Sequence, residues 1–129
     1  VVGHYGCSGV NAAMNNLRIG LADNWLRHVQ DVRNIHHTWL LDLPDGPTRL
    51  NALCELNVLE QCRNVCETTV VQDAWARGQE VVVHGWVYGL HNGLINDLRM
   101  SVASSQQVLD AYRSALSQLQ QRYAPSTQP

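Results

Sequence analysis

Positive charge is thin in this sequence, and no segment gathers lysine and arginine together. The two types number nine against eleven aspartates and glutamates, a formal net charge of −2. A nucleic-acid footprint is therefore not expected. No apolar run approaches the roughly 20 residues that a bilayer-spanning helix needs, so a transmembrane helix is excluded and no membrane partner is expected. No secretory signal is readable. The four cysteines, Cys7, Cys54, Cys62 and Cys66, accordingly read as thiols, not as a disulfide framework, and the cytoplasm is the expected compartment. Internal repeats are missing, and so is any converging pair of carboxylates. Asp23, Asp31, Glu55 and Glu60 read as charges on helix surfaces. The chain opens on Val1-Val2-Gly3-His4 without methionine, polar lead-in or cap, as the end of a buried strand does. The expectation is that a longer protein was cut here or that an upstream segment is missing.

What is present describes one globular domain. A length of 129 residues, 45% hydrophobic and 16% charged, can bury a useful core. Val1 to His4 predicts a strand running into the Gly-rich turn Gly3–Gly9. Val10 to Met14 predicts a short helix ended by Asn15-Asn16. Leu21, Trp25, His28, Val29, Val32, Ile35 and Trp39 recur at three- and four-residue steps and predict a long amphipathic helix, closed by Pro44, Gly46 and Pro47. Thr48 is the expected cap of a second long helix reaching Cys66, with Leu50, Leu53, Cys54, Val58, Cys62 and Val65 inward. A short helix is expected from Val70 to Arg77, with Gly78 as its stop. Val81-Val82-Val83 predicts a strand covered on both faces. Leu94, Ile95 and Leu98 suggest a further strand. Ser104 and Gln107 read as a capping box ahead of a helix striped by Leu109, Tyr112, Leu116, Leu119 and Tyr123. Residues 1–123 form the expected domain and 124–129 a disordered tail. Helices with two or three strands make an α/β fold whose sheet looks incomplete.

His4-x-x-Cys7 carries the chemistry. Zinc prefers imidazole and thiolate, and a strand-to-turn transition can aim both at one point. Nearby glycines let the backbone turn tightly and bring amides toward the thiolate. By itself the pair is a weak signal, since a packed histidine beside a buried free cysteine reads the same way.

The surrounding residues add to it. Val2-Gly3-His4-Tyr5-Gly6-Cys7-Ser8-Gly9-Val10 with Leu21, Asn24, Trp25 and Leu26 resembles the β-class carbonic anhydrases. So do Leu53-Cys54-Glu55-Leu56-Asn57-Val58, Gln61, Asn64, Ala74-Trp75, Arg77-Gly78 and His84-Gly85-Trp86-Val87-Tyr88-Gly89. The likeness runs from Val1 to about Tyr123 and points to the bacterial-type branch. It implies a mainly parallel β-sheet flanked by helices, here incomplete at the amino terminus, and homodimers or higher homo-oligomers. It implies a zinc-dependent carbonate dehydratase that hydrates carbon dioxide reversibly to bicarbonate. The metal is held by two cysteines and a histidine, with water, or an aspartate in a closed form, in the fourth position. Bound zinc lowers the pKa of water from about 15.7 toward 7, which makes hydroxide available at neutral pH.

His4 and Cys7 match the later pair of ligands. The earlier pair belongs to a Cys-x-Asp-x-Arg stretch that this sequence does not contain, so no residue here answers to the Asp–Arg catalytic dyad. The chain alone is expected to be inactive for want of two ligands. The alternative is a non-catalytic remnant or oligomerisation module of the same fold. Ser8 stands where the family has the first glycine of Cys-Gly-Gly; serine keeps the amide donor but disfavours positive φ. Tyr88 matches the tyrosine of a regulatory bicarbonate pocket in one branch of the family.

Other conspicuous residues take blander readings. Cys62 and Cys66 read as helix-core thiols. His28, His36 and His37 read as solvated or interface side chains, and the four tryptophans as core or interface anchors.

Overall fold

In the computed structural model, which describes residues 1–126, the chain runs β1 (Val2–His4), α1 (Ser8–Asn15), α2 (Asp23–Ile35), α3 (His37–Asp42), α4 (Pro47–Cys66), α5 (Thr69–Ala76), β2 (Val83–Gly89), β3 (Leu94–Val102), a 3-10 turn (Ser105–Gln107) and α6 (Val108–Arg122). Of the expected tail, residues 124–126 carry no helix or strand and the remainder lies outside the described residues.

Three strands form one sheet in the order β1-β2-β3. β1 runs parallel to β2, with Val2 opposite Trp86 and His4 opposite Tyr88. β3 returns antiparallel, with a register shift where Gly85 pairs with Met100 and Trp86 with Asp97. A parallel pair needs a long crossover, and helices α1 to α5 supply it. One sheet face packs on α4 and α6, and along β2 it buries Val83, Gly85, Val87 and Gly89. The opposite face carries exposed Val2, His4 and His84 and half-buried Trp86 and Tyr88.

α4 is the axis of the molecule. Leu53, Leu56, Val58, Leu59, Cys62 and Cys66 on it are all buried. Together with Val87, Met100, Val102 and Leu119 they build the core.

Several expectations are corrected. The long helix breaks at His36, so α2 and α3 are separate, and only Val29, Val32 and Trp39 of its stripe meet the core. Leu21 and Trp25 stand exposed, with Ile35 beyond them, while Val32 is buried. α4 begins at Pro47, not at a Thr48 cap; proline tolerates the first helical position because its missing N–H has no intrahelical partner there. Val81 and Val82 precede β2, and Val82 is exposed instead of covered. The expected capping box forms only in part. The Gln107 amide oxygen accepts from the Ala103 N–H, whereas the Ser104 hydroxyl caps nothing. Asn16 closes α1 in the left-handed region, φ 53°, a conformation asparagine adopts more readily than most residues.

Candidate metal centre

His4 ends β1 and Cys7 caps α1, so the two donors flank a single turn. Gly6 lies between them at φ 69° with open space where a Cβ would sit, so this is the position of the turn that needs glycine. Ser8 opens the helix and is not among the residues at positive φ, which answers the concern over its replacing glycine. The His4 ring donates from Nδ1 to the Tyr5 carbonyl oxygen at 2.9 Å. In the neutral ring this bond leaves Nε2 as the acceptor nitrogen, the arrangement by which metal-binding histidines are oriented. Cys7 is half-buried and its thiol is free. It borders a cavity of about 430 Å³ shared with Gly6, Ser8, Asn11, Pro47, Leu50, Asn51 and Cys54. Burial pushes the Cys54 thiol up to about 11, against a smaller opposing pull from the Cys7 backbone N–H.

The imidazole and the thiol fit two positions around a borderline-soft cation. Among the described residues no group of three or more His, Cys, Asp and Glu converges to complete such a site. Cys62 and Cys66 are fully buried on α4 and free, as core thiols should be. Tyr88 is brought beside His4 as its register partner, and its carbonyl accepts from the Tyr5 N–H at 3.1 Å.

The structure also assembles a group that the sequence reading did not. Glu55 is only 4% exposed, which corrects its reading as a surface charge. Its Oε1 accepts from the Tyr5 hydroxyl at 3.0 Å and from Arg122 at 3.1 Å. Its Oε2 accepts from the Tyr123 hydroxyl. Burial, then the neighbouring carboxylate, pushes the Tyr5 phenol up to about 12; the same two causes raise Tyr123 further. The signal was there to find: Glu55 is the lone acid in Ala52-Leu53-Cys54-Glu55-Leu56, a run buried throughout.

A second buried carboxylate, Glu60, corrects two more readings. It accepts from His36 Nε2 at 2.9 Å and from the Tyr112 hydroxyl. His36 is thus a core residue, 8% exposed, and not a solvated one.

Fold and turn together define an α/β protein that presents a nitrogen and a sulfur donor where a parallel strand hands over to a helix. A family model described as carbonic anhydrase matches residues 1–95, and the chain belongs to that family, in its β class. A carbonic anhydrase of Emericella nidulans is 43% identical over 100 residues, which are 78% of this chain and 44% of that protein. The Coccomyxa β-carbonic anhydrase, solved in complex with acetazolamide, superposes with a TM-score of 0.81 at 33% identity, covering 92% of this chain and 54% of that one. One of two tetrameric β-carbonic anhydrases from Sordaria macrospora gives 0.69 at 31% identity, covering 79% and 52%. The chain therefore spans about half the length of the relatives it matches.

Proposed function

We propose that this chain carries part of the centre of a zinc-dependent carbonic anhydrase, with His4 and Cys7 as two of the metal's donors and carbon dioxide and bicarbonate as the reactants. The carrying observation is the orientation of His4. Its Nδ1–H is committed to the Tyr5 carbonyl, so the free Nε2 and the Cys7 thiol stand on one short turn. Bound zinc supplies a Lewis acid that makes water a nucleophile near neutral pH. The chain's own residues orient that centre: the Tyr5 carbonyl sets the imidazole, and the amino end of α1 sets the sulfur. Tyr88, on the strand beside His4, is the proposed contact for a bicarbonate anion. Assembly with further copies belongs to the same reading. Exposed Leu21 and Trp25 support it, as do the tetrameric relatives.

A second reading is a non-catalytic oligomerisation module, favoured by the lack of a third donor among the described residues. Zinc analysis and a carbon dioxide hydration assay on the 129-residue chain separate the two. Weak, chelator-sensitive zinc that His4→Ala or Cys7→Ser abolishes, without turnover, is expected from two donors. Stoichiometric, chelator-resistant zinc with turnover defeats the module reading. Zinc binding indifferent to both substitutions defeats the assignment of His4 and Cys7.

A further inference from the structure

We infer that Glu55 and Tyr5 are positioning residues for the metal turn, and that they couple it to the far end of the chain at Arg122 and Tyr123. This rests on the assignment of His4 and Cys7 as donors.

The turn from His4 to Cys7 has few constraints of its own. His4 is held at the strand end, opposite Tyr88, and Cys7 at the helix start. Between them stand Gly6, at a φ open to glycine, and Tyr5. Tyr5 is held twice: its N–H donates to the Tyr88 carbonyl, and its hydroxyl donates to Glu55 at 3.0 Å. Its carbonyl is also the acceptor that orients the His4 ring. A shift of the Tyr5 peptide therefore moves one donor directly and changes the path to the other.

Glu55 is suited to holding Tyr5 in place. It projects from α4, the best-buried helix, and its two oxygens are shared among three donors. Two of these, Arg122 and Tyr123, come from the end of α6, 67 and 68 residues away in sequence. A carboxylate bonded from several sides has little freedom to swing, and partners behind the directly bound groups typically set metal affinity. The carboxyl-terminal end of α6 thereby braces a turn at the opposite end of the chain.

A merely structural role is separable because the molecule contains a matched control. Glu60, on the same helix and also buried, is bonded by His36 and the Tyr112 hydroxyl and by nothing in residues 4–7. Tyr5→Phe, Tyr123→Phe and Tyr112→Phe each delete one hydroxyl from a buried carboxylate. Cobalt(II), added alone and followed through its thiolate charge-transfer absorption, reports binding at Cys7. Tyr5→Phe and Tyr123→Phe should weaken it about tenfold, the lower end of such indirect effects. Tyr112→Phe should leave it unchanged while lowering stability comparably. Equal effects of all three substitutions, or none, overturn the inference.

A second measurement needs no metal. Nitrogen chemical shifts of the His4 ring should show the Nδ1–H tautomer in the parent chain and a mixture in Tyr5→Phe and Glu55→Gln. An unchanged tautomer, together with unchanged amide exchange over residues 3–9, also overturns it. Should cobalt bind the parent chain without the thiolate absorption of Cys7, the donor assignment falls, whereas the ring measurement still decides whether Glu55 positions the turn.

Discussion

Single side chains in this protein differ sharply in how far they are removed from water, and their acid–base behaviour follows. Cys7 is half-buried, whereas Cys54, Cys62 and Cys66 are buried. Burial pushes the Cys54 and Cys62 thiols up to about 11, and raises Cys66 as well. Since the thiolate is the reactive form, iodoacetamide at neutral pH should label Cys7 alone in the folded chain, and all four thiols after denaturation. Peptide mass spectrometry reads the outcome, and early labelling of Cys62 would contradict the burial. The same shifts set an alkaline limit. The folded chain keeps the Tyr5 proton to about 12, against an ordinary 10.0. It keeps those of Cys54 and Cys62 to about 11, against 9.0. The unfolded chain releases these protons first, so stability that is whole below pH 9 should fall between pH 9 and 12. Glu60 works in the other direction. Burial raises its pKa, but hydrogen bonds from His36 and Tyr112 outweigh that and hold it below 4.5. Its contribution is present above that pH and is lost as the pH falls through the lowered value. Denaturation midpoints across the pH range should therefore decline at both ends.

Among the elements, the contact between β1 and α4 is the tightest that bears on the site. A Cβ at Gly3 would stand 2.7 Å from Val58 Cγ2, a buried branched side chain with no room to retreat. Gly3→Ala should therefore push the strand from the helix, at a cost of about 1–3 kcal/mol typical of overpacking. The denaturant midpoint measures this. Because His4 is the next residue, cobalt binding should weaken in the same variant. Helix α5 illustrates the opposite case. The Thr68 hydroxyl accepts from the Val71 N–H at its amino end, yet Val70 is exposed. Thr68→Ala should cost only about 1 kcal/mol, the usual worth of such a cap, without disturbing the turn.

Across the whole molecule, apolar surface is distributed unevenly. Leu17, Ile19, Leu21 and Trp25 stand exposed near one another in sequence, and Val1 and Val2 lie along the open edge of β1. Exposed apolar patches and unpaired strand edges favour association. Sedimentation should show oligomers that grow with concentration, and Trp25→Gln with Leu21→Gln should reduce them. A sharp monomer at all concentrations would contradict this reading.

Short-range and long-range interactions divide what this chain shows before and after folding. Spacing of apolar residues and short-range turn chemistry located most elements, because both act within a few residues. α4 follows its stripe, and α6 follows its own from Tyr112 onward, with Val108 buried in place of exposed Leu109. The expected Gly-rich turn contracts to residues 5–7, with Gly3 in β1 and Gly9 in α1. The proposed donors His4 and Cys7 fall within the same short range, three residues apart. Periodicity does not say which face meets the core: of the one predicted stripe, Leu21, Trp25 and Ile35 lie outward while Val29, Val32 and Trp39 meet the core. Nor does it say whether an acid on a helix has partners. Glu55 meets Tyr5 at a separation of 50 residues and Arg122 at 67; Glu60 meets His36 at 24 and Tyr112 at 52. Such meetings exist only once the chain has folded. The sequence by itself determined the family and the place of most helices and strands. Only the tertiary structure decided which charges are buried and what holds the donor turn, because burial and hydrogen bonding depend on residues far apart along the chain.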